Sequence, residues 1–444
     1  MGKQIWIAII LVAAAAVFFV SNNENTIAQT EPENAAFSIS AIPGQIGGQD
    51  ILGGYEVDAD WPREINNKPG DEDWTWGAGQ SIYAESEDRV YALMRGQLPN
   101  IERPRTQYLR DIAPSLSFPI GRLPWRDATA ASLPANGGTG ALAEEGISAW
   151  LARGLEIGVD ARWDYCVVVF DADGNMIEEW TDEQGNCTMP NGEQLQRPHF
   201  VGMDPYDADK HVWILDDHKH TIYKLTNDGS EIVMQLGTYG ELGADENHFN
   251  RPSMMDWMPE EEGGASIFVA DGYNGTRVVK FDSEGNFITQ WGEPGARGGE
   301  TRPGYWHNVH GIAVDPVGRR VFVNDRTNNR VQVFDEDGNY LYEWSFGPEP
   351  ADIHDFMITA DGHLWAADRG TNKMLKYDLE GRFLYSWGTW GDFPGGFWGV
   401  HGISSDPQGN FYVAEVDNGG FQKYTPRAGV NPETLVGAPV RSAW

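Results

Sequence analysis

The stretch that decides the fold spans residues 308–347 and reads NVHGIAVDPVGRRVFVNDRTNNRVQVFDEDGNYLYEWSFG. It contains four short runs of alternating apolar and polar residues, separated by turn signals of the P-x-G and D-G kind. Related segments occur at 197–237, 251–292, 352–388 and 399–425. Four strands in a repeat of roughly 40–50 residues are typical of one β-propeller blade.

A sixth blade precedes these five. Its strands are expected near Gln80–Tyr83, Arg89–Met94, Cys166–Phe170 and Met176–Trp180. An insertion at 99–162, rich in Pro, Arg and Ala, separates its second and third strands. The last repeat lacks a fourth strand, and residues 51–58, ILGGYEVD, are expected to supply it and close the ring. The sequence therefore predicts an all-β, six-bladed propeller.

The segment before the propeller has the composition of a targeting signal. Lys3 precedes an apolar run from Ile5 to Val20, which is short for a bilayer span. We expect a signal peptide or N-terminal anchor at 1–22, a disordered tether at 23–48 and the propeller at 49–444. The protein is thus expected to be exported, to a periplasmic or extracellular location.

Charge narrows the class of partner. The chain has 66 acidic and 32 basic residues, a formal net charge of −34. Such a surface repels nucleic acid and anionic lipid. The expected partner is a small molecule or peptide, with membrane contact only through an uncleaved anchor. Cys166 and Cys187 either pair in an oxidising compartment or remain two free thiols.

One repeat position on the inner strand carries histidine in alternate blades. His199 lies on blade two, His310 on blade four and His401 on blade six. Alternate blades of six place these side chains about 120° apart at one height of the channel. Three converging imidazoles form a zinc site with an open coordination position, although hydrogen bonds to channel water are the alternative. His354 on blade five shares the register as a fourth ligand, a proton carrier or a channel residue.

A second register lies in the turn after the second strand of a blade. An Asp at this position is expected to cap the turn, and the residues after it face the channel mouth. The side chains predicted there are Tyr273, Arg326 and Arg369, with Arg95 at the end of the second strand of blade one. Arginine suits a carboxylate because its guanidinium binds both oxygens, and it favours a phenolate nearby. The alternative is a solvated rim.

Several motifs resemble a known family. They include GADENHFNRP at 243–252, FVADGYNGTRVVKF at 268–281 and FITQWGE at 287–293, followed by VHGIAVDP and NDRTNNRVQVF. From Arg89 to about Thr425 the chain resembles the peptidyl-α-hydroxyglycine α-amidating lyases. These are propellers of NHL repeats and form the lyase domain of peptidylglycine α-amidating enzymes.

The resemblance implies roles for individual residues. It implies that His199, His310 and His401 bind zinc, that Tyr273 is catalytic and that Arg95 and Arg326 bind the substrate. A structural Ca²⁺ in this family is held by backbone carbonyls, here near Ile82 and Val201, and by an Asp after the third histidine. Gly402 stands at that position, so the calcium ligand set is incomplete. The cysteine that follows the tyrosine in animal members is replaced by Asn274.

The implied reaction breaks the N–C bond of a peptidyl-α-hydroxyglycine or another α-hydroxy amide, giving an amide and glyoxylate. Two other classes stay open, a non-enzymatic NHL propeller that binds protein or glycan, and a lactonase. Lactonases hold their metal with Glu, Asn and Asp, which this register lacks. The insertion is predicted to cover the channel mouth and to select acidic or carboxylate substrates, with a loose surface loop as the alternative. It carries the arginines Arg103, Arg105, Arg110, Arg122 and Arg126.

Overall fold

The computed structural model describes residues 50–100, 158–159, 162, 164–181, 187–261, 263–347 and 350–440. The predicted targeting segment and tether, and nearly all of the insertion with its five arginines, lie outside these residues. Their boundaries and roles therefore stay predictions. Within the described ranges, no helix has the length and apolar character needed to cross a membrane.

The described strands form six four-stranded antiparallel sheets, which confirms the six-bladed propeller. From the inner to the outer strand, blade one consists of Trp74–Ser86, Arg89–Pro99, Val167–Phe170 and Met176–Glu179, and blade two of Pro198–Met203, Val212–Asp216, Thr221–Leu225 and Ile232–Leu236. Blade three consists of Pro252–Pro259, Ala265–Asp271, Arg277–Phe281 and Phe287–Trp291, and blade four of Val309–Asp315, Arg320–Asp325, Arg330–Asp335 and Tyr340–Ser345. Blade five consists of Ile353–Ile358, His363–Asp368, Lys373–Asp378 and Phe383–Trp387, and blade six of Val400–Ser405, Phe411–Glu415, Phe421–Pro426 and Tyr55–Asp58. Smaller elements are a parallel pair, Glu293–Pro294 with Tyr305–Trp306, and short 3₁₀ helices at Ile65–Asn67, Arg326–Asn328 and Pro432–Thr434.

Blade six is built from both ends of the chain. Strand Tyr55–Asp58 pairs antiparallel with Phe421–Pro426, so that Tyr55 lies opposite Pro426. Tyr55 is fully buried, and its hydroxyl accepts a hydrogen bond from the backbone N–H of Val436 at 2.7 Å. The expected closing strand is thus confirmed. This pairing supplies the fourth strand of the last blade, and it joins the two ends of the propeller into a ring.

The blades pack against each other through apolar faces. One buried cluster joins Met254, Met258 and Phe268 of blade three to Ile312 and Val323 of blade four. Outer strands of blades one to four instead alternate mainly between half-buried and exposed residues, as Phe287–Trp291 does. Each blade therefore buries its surface mainly against its two neighbours, which explains how a long chain forms a core without one central apolar mass.

A disulfide closes the interface between blades one and two. Cys166 precedes the third strand of blade one, and Cys187 lies in the connection to blade two, with Cα atoms 5.6 Å apart. Both side chains belong to the apolar cluster shared by these blades. The paired form is therefore the one present, which decides between the two alternatives left open by the sequence.

Candidate functional site

An acidic residue at the end of the second strand fixes the start of the inner strand in each of several blades. Asp271 accepts a hydrogen bond from the backbone N–H of Asn250 at 2.7 Å, and Asp325 accepts one from His307 at 3.1 Å. Asp368 accepts one from the N–H of Asp352 at 2.9 Å. Asp368 also caps its own turn, as predicted, because it accepts from the backbone N–H groups of Gly370 at 3.0 Å and Thr371 at 3.3 Å, whereas all three aspartates share the bond to the inner strand. Because the same bond recurs around the ring, equivalent inner-strand residues are held at one height.

The three register histidines converge on the channel axis. The ring centroids of His199, His310 and His401 lie 5.1, 4.9 and 5.5 Å apart, and one ring nitrogen from each falls within 4.8 Å of the others. All three side chains are buried, with exposed fractions of 2% or less. The structure therefore brings together the three residues that the sequence predicted as a metal tripod.

Main-chain carbonyls of the intervening blades orient the three rings. Nδ1 of His199 lies 2.7 Å from the carbonyl oxygen of Ser253, and Nδ1 of His310 lies 2.6 Å from that of His354. Nδ1 of His401 lies 2.7 Å from the carbonyl oxygen of Gln80. A carbonyl only accepts, so each Nδ1 must carry the hydrogen and each Nε2 must carry a lone pair. This arrangement matches the outer-shell support of metal-binding histidines.

The three lone pairs at the centre outnumber the two donors near them, which are the Tyr273 hydroxyl and the side-chain amide of Gln80, whose Nε2 lies 2.7 Å from Nε2 of His401. The Tyr273 hydroxyl lies 2.8 Å from Nε2 of His199 and 3.0 Å from Nε2 of His310, but its single hydrogen can satisfy only one of them. Burial holds the pKa of each histidine well below its usual range, which keeps the rings neutral. Neutral, buried and converging imidazole nitrogens are a donor set that fits zinc.

The fourth register histidine is held differently. The ring of His354 lies 4.8 Å from that of His401, but its Nε2 is 3.1 Å from a carboxylate oxygen of Asp352. Its Nδ1 has no hydrogen-bond partner within the described part of the chain. Burial lowers the pKa of His354 to about 4. His354 therefore borders the tripod, while its Nε2 points to a carboxylate instead of the axis.

The predicted mouth residues line one cavity together. Arg95, Tyr273, Arg326 and Arg369 share it with His401. Nε of Arg326 lies 3.5 Å from Asp352, whereas Arg369 donates to both carboxylate oxygens of Asp417 at 2.9 and 2.7 Å. The second register thus faces the same space as the histidines, as the sequence predicted.

Sequence reasoning missed three charged residues beside Tyr273. Two of them are Arg197 and Arg251, whose guanidinium carbons lie 5.2 and 4.8 Å from the Tyr273 ring centroid. The guanidinium carbon of Arg326, a residue that the sequence did predict, lies 5.7 Å from the same centroid. The third is Asp217, which is fully buried and lies within ion-pair distance of both Arg197 and Arg251. The repeat did contain a signal for them. Each arginine stands in an Arg-Pro pair two residues before the position that holds His199 in blade two, and Asp217 directly follows a turn aspartate, as Arg326 does.

The calcium ligand set implied by the resemblance remains incomplete in three dimensions. A side chain at Gly402 would place its Cβ 2.8 Å from the Cα of Ser81 and 3.2 Å from the carbonyl oxygen of Gln80. The backbone of blade one therefore occupies the space that a carboxylate ligand would need. The residues present do not fit a calcium ion bound in that way.

Comparison with known proteins agrees with the fold and the resemblance. A family model described as a 6-bladed beta-propeller matches residues 306–387. Peptidylglycine alpha-amidating monooxygenase of Rattus norvegicus is 37% identical over 141 residues, 32% of this chain and 14% of that protein. A probable peptidyl-alpha-hydroxyglycine alpha-amidating lyase of Caenorhabditis elegans is 34% identical over 137 residues, 31% and 36% of the two chains.

A third relative carries the repeat name. NHL repeat-containing protein 3 of Mus musculus is 33% identical over 187 residues, 40% of this chain and 48% of that protein. The chain thus spans less than half the length of each of these three relatives. The similarity to proteins named as amidating lyases or amidating monooxygenases confirms the resemblance drawn from the motifs.

Proposed function

We propose that this protein is a zinc-dependent carbon–nitrogen lyase that cleaves a peptidyl-α-hydroxyglycine, or a similar α-hydroxy amide, to an amide and glyoxylate. One observation carries the proposal. Three neutral imidazole nitrogens converge on the channel axis, each oriented by a main-chain carbonyl of the next blade, and a tyrosine hydroxyl lies among them. The similarity to relatives named as amidating lyases supports it.

His199, His310 and His401 would hold the zinc ion through Nε2. When bound there, zinc supplies a Lewis acid that stabilises negative charge on the substrate hydroxyl oxygen. Burial of the three rings keeps water away from this charge, and low polarity strengthens each electrostatic interaction. Three protein ligands leave a coordination position for a substrate group.

Tyr273 is the group placed to move the proton. Its hydroxyl lies at hydrogen-bond distance from two of the three Nε2 atoms, so it borders the position of the substrate hydroxyl. Tyr273 takes the hydroxyl proton as the carbon–oxygen double bond of glyoxylate forms. The electron pair of the broken N–C bond goes to the amide nitrogen, which receives the same proton back from Tyr273. Three guanidinium groups around the ring stabilise a phenolate in this cycle.

Arginine residues hold the substrate carboxylate. Arg95 is 2% exposed, and burial lowers its pKa to about 9, so it is still charged at neutral pH. Arg326 is partly exposed on blade four, across the ring from blade one. A carboxylate held between them leaves the carbinol carbon facing Tyr273. Positioning of this kind lowers the barrier because the reacting groups meet in a fixed geometry.

We propose that the protein acts outside the reducing cytosol. The disulfide between Cys166 and Cys187 supports this, since such bonds persist in oxidising compartments. The partner is a small molecule or peptide that carries a carboxylate, and membrane contact is proposed only through an uncleaved anchor. Nucleic acid is not a proposed partner, because the chain carries a net charge of −34.

The test combines metal content with product analysis. Purified protein is expected to contain about one zinc per chain and to convert N-benzoyl-α-hydroxyglycine to benzamide and glyoxylate in equal amounts. A chelator should stop the reaction, and added zinc should restore it. Protein that folds as a propeller but binds no zinc and forms no glyoxylate would contradict the proposal and favour a binding scaffold.

A further inference from the structure

The buried charges beside the tripod are unevenly paired. Arg251 makes a close pair with Asp217, donating from Nε at 3.1 Å and from Nη2 at 2.7 Å. Arg197 and Arg95 stand further from the same carboxylate, with closest nitrogens at 3.5 and 4.0 Å. Asp217 thus makes its shortest contacts with Arg251 through Oδ2, while Oδ1 lies at longer distances from Arg197 and Arg95.

These two residues, Arg95 and Arg197, form what we call the arginine pair. Their exposed fractions are 2% and 3%, and both line the cavity with Tyr273 and His401. Nη2 of Arg95 and Nε of Arg197 lie near Asp217 Oδ1 but too far for a hydrogen bond, and none of the three atoms has a hydrogen-bond partner in the part of the chain that the structure describes. Buried N–H groups of an arginine nearly always find an acceptor, so these atoms need an explanation.

Like charges held close together make an anion favourable at this point. The positive charge of Arg197 is, after burial itself, the largest influence that lowers the pKa of Arg95. Asp216, the nearest further carboxyl group, is turned towards backbone N–H groups, among them those of Arg197 and His218. Even with Asp216 ionised, the three arginines exceed the two carboxylates by one charge. One substrate carboxylate would balance it.

The arginines on the opposite side of the mouth are paired more closely with carboxylates or are more exposed. Arg326 and Arg369 face Asp352 and Asp417, and Arg297, which also lines the cavity, is exposed. These side chains are also more exposed, at 19% for Arg326 and 37% for Arg369. Water and paired carboxylates weaken the attraction of this side for an anion, so Arg326 adds a weaker contact to the substrate carboxylate than the buried arginines do.

We propose that Arg197 is a specificity-determining residue that completes a two-guanidinium clamp with Arg95, and that this clamp selects substrates with a free carboxylate on the carbinol carbon over the corresponding neutral amides. The inference rests on the proposed lyase function and deepens it. Arg251 binds one oxygen of Asp217, so the three guanidinium groups share a single fully buried carboxylate, and the excess positive charge lies beside the cavity that Arg95 and Arg197 line.

The experiment compares two probes that differ only in charge. N-Benzoylglycine carries the carboxylate, N-benzoylglycinamide is neutral, and neither has the hydroxyl group needed for cleavage. Calorimetry on the purified protein should show the acid binding about tenfold to a hundredfold more tightly than the amide. In Arg197→Gln that preference should fall to within about threefold, because one charge-assisted contact is lost.

Two further variants control the result. Arg382→Gln removes the same charge from a side chain that is 77% exposed on blade five, and its acid-to-amide preference should match that of the unmodified protein. Arg197→Lys keeps the charge but lacks the planar fork, so an intermediate preference is expected, and it replaces Arg197→Gln if that variant fails to fold. An unchanged preference in the folded Arg197 variants overturns the inference.

The outcomes separate this inference from the lyase proposal. Cleavage of N-benzoyl-α-hydroxyglycine with an acid preference that does not depend on Arg197 refutes the clamp alone. An Arg197-dependent preference in protein that forms no glyoxylate supports the clamp and refutes the lyase proposal. Loss of both in protein with an unchanged unfolding temperature refutes both.

Discussion

The two ends of one inner strand differ in what their side chains do. On strand Val309–Asp315 of blade four, His310 is one of the three tripod histidines. Val314, further along the same strand, lines a second cavity with Met254 and Phe200. Both side chains are almost fully buried, at 0% and 4% exposed. The same ring of strands thus presents a charged and hydrogen-bonded surface at one height and a mainly apolar one at another, where Asp256 and Asp355 are the acidic exceptions.

The energetic character of the two regions is opposite. Burying an aliphatic side chain such as Val314 contributes about 1.5–3 kcal/mol to the free energy of unfolding. Burying polar groups such as His310 and Arg95 costs free energy unless each finds a partner. Burial at the apolar end therefore stabilises the ring of strands, and this offsets the free-energy cost of burying the polar groups at the mouth.

Replacing a tripod histidine should give the largest effect on function. In His310→Ala, zinc binding and glyoxylate formation should be abolished, because two ligands remain where three are needed. Zinc content and the far-ultraviolet spectrum are measured on the same sample, with the strand content expected to persist. His363→Ala, on the second strand of blade five and outside the tripod, is the matched control. Full zinc occupancy in His310→Ala would disprove the tripod.

Removing the tyrosine hydroxyl should come next. Tyr273→Phe should keep zinc and fold but lower kcat roughly 10²–10⁴-fold, the usual contribution of a general base. Tyr340→Phe on the outer strand of blade four, where the side chain is 38% exposed, controls for loss of a phenol. A Tyr273→Phe enzyme with unchanged turnover would remove Tyr273 from the mechanism even if zinc were bound.

Changing Arg326 should have a smaller effect that depends on Tyr273. Arg326→Ala should reduce kcat/KM about tenfold to a hundredfold, since one contact with the carboxylate and one charge near the ring are lost. In a double-mutant cycle the combined loss should be smaller than the product of the single losses. Independent effects would show that the two residues do not act as a unit.

The apolar end should respond in stability and leave catalysis unchanged. Val314→Ala should lower the free energy of unfolding by roughly 1–3 kcal/mol, through lost burial and an unfilled cavity. Zinc content and kcat should stay near those of the unmodified protein at a temperature where both are folded. A large loss of kcat in folded Val314→Ala would mean that the two ends of the strand are coupled, contrary to the comparison.

Much of the site was predictable because the fold repeats. A residue at one repeat position reaches the same height in every blade, so His199, His310 and His401 could be assigned to one ring from their spacing alone. The same logic placed Tyr273 and Arg326 at the mouth. The targeting segment and the insertion contain no copy of the repeat, so this logic does not apply to them. Their predicted roles stay predictions, because nearly all of these residues lie outside the part of the chain that the structure describes.

The sequence by itself determined the blade count, the closing strand and the histidine register, because strand period and turn residues are local properties that recur along the chain. Only the tertiary structure decided which charges pair, since Arg197, Arg251 and Asp217 meet across blades through side chains whose reach is not encoded in spacing. It also decided how the rings are oriented. The acceptors of Nδ1 are main-chain carbonyls of Ser253, His354 and Gln80, and a carbonyl has the same chemistry whatever side chain it belongs to.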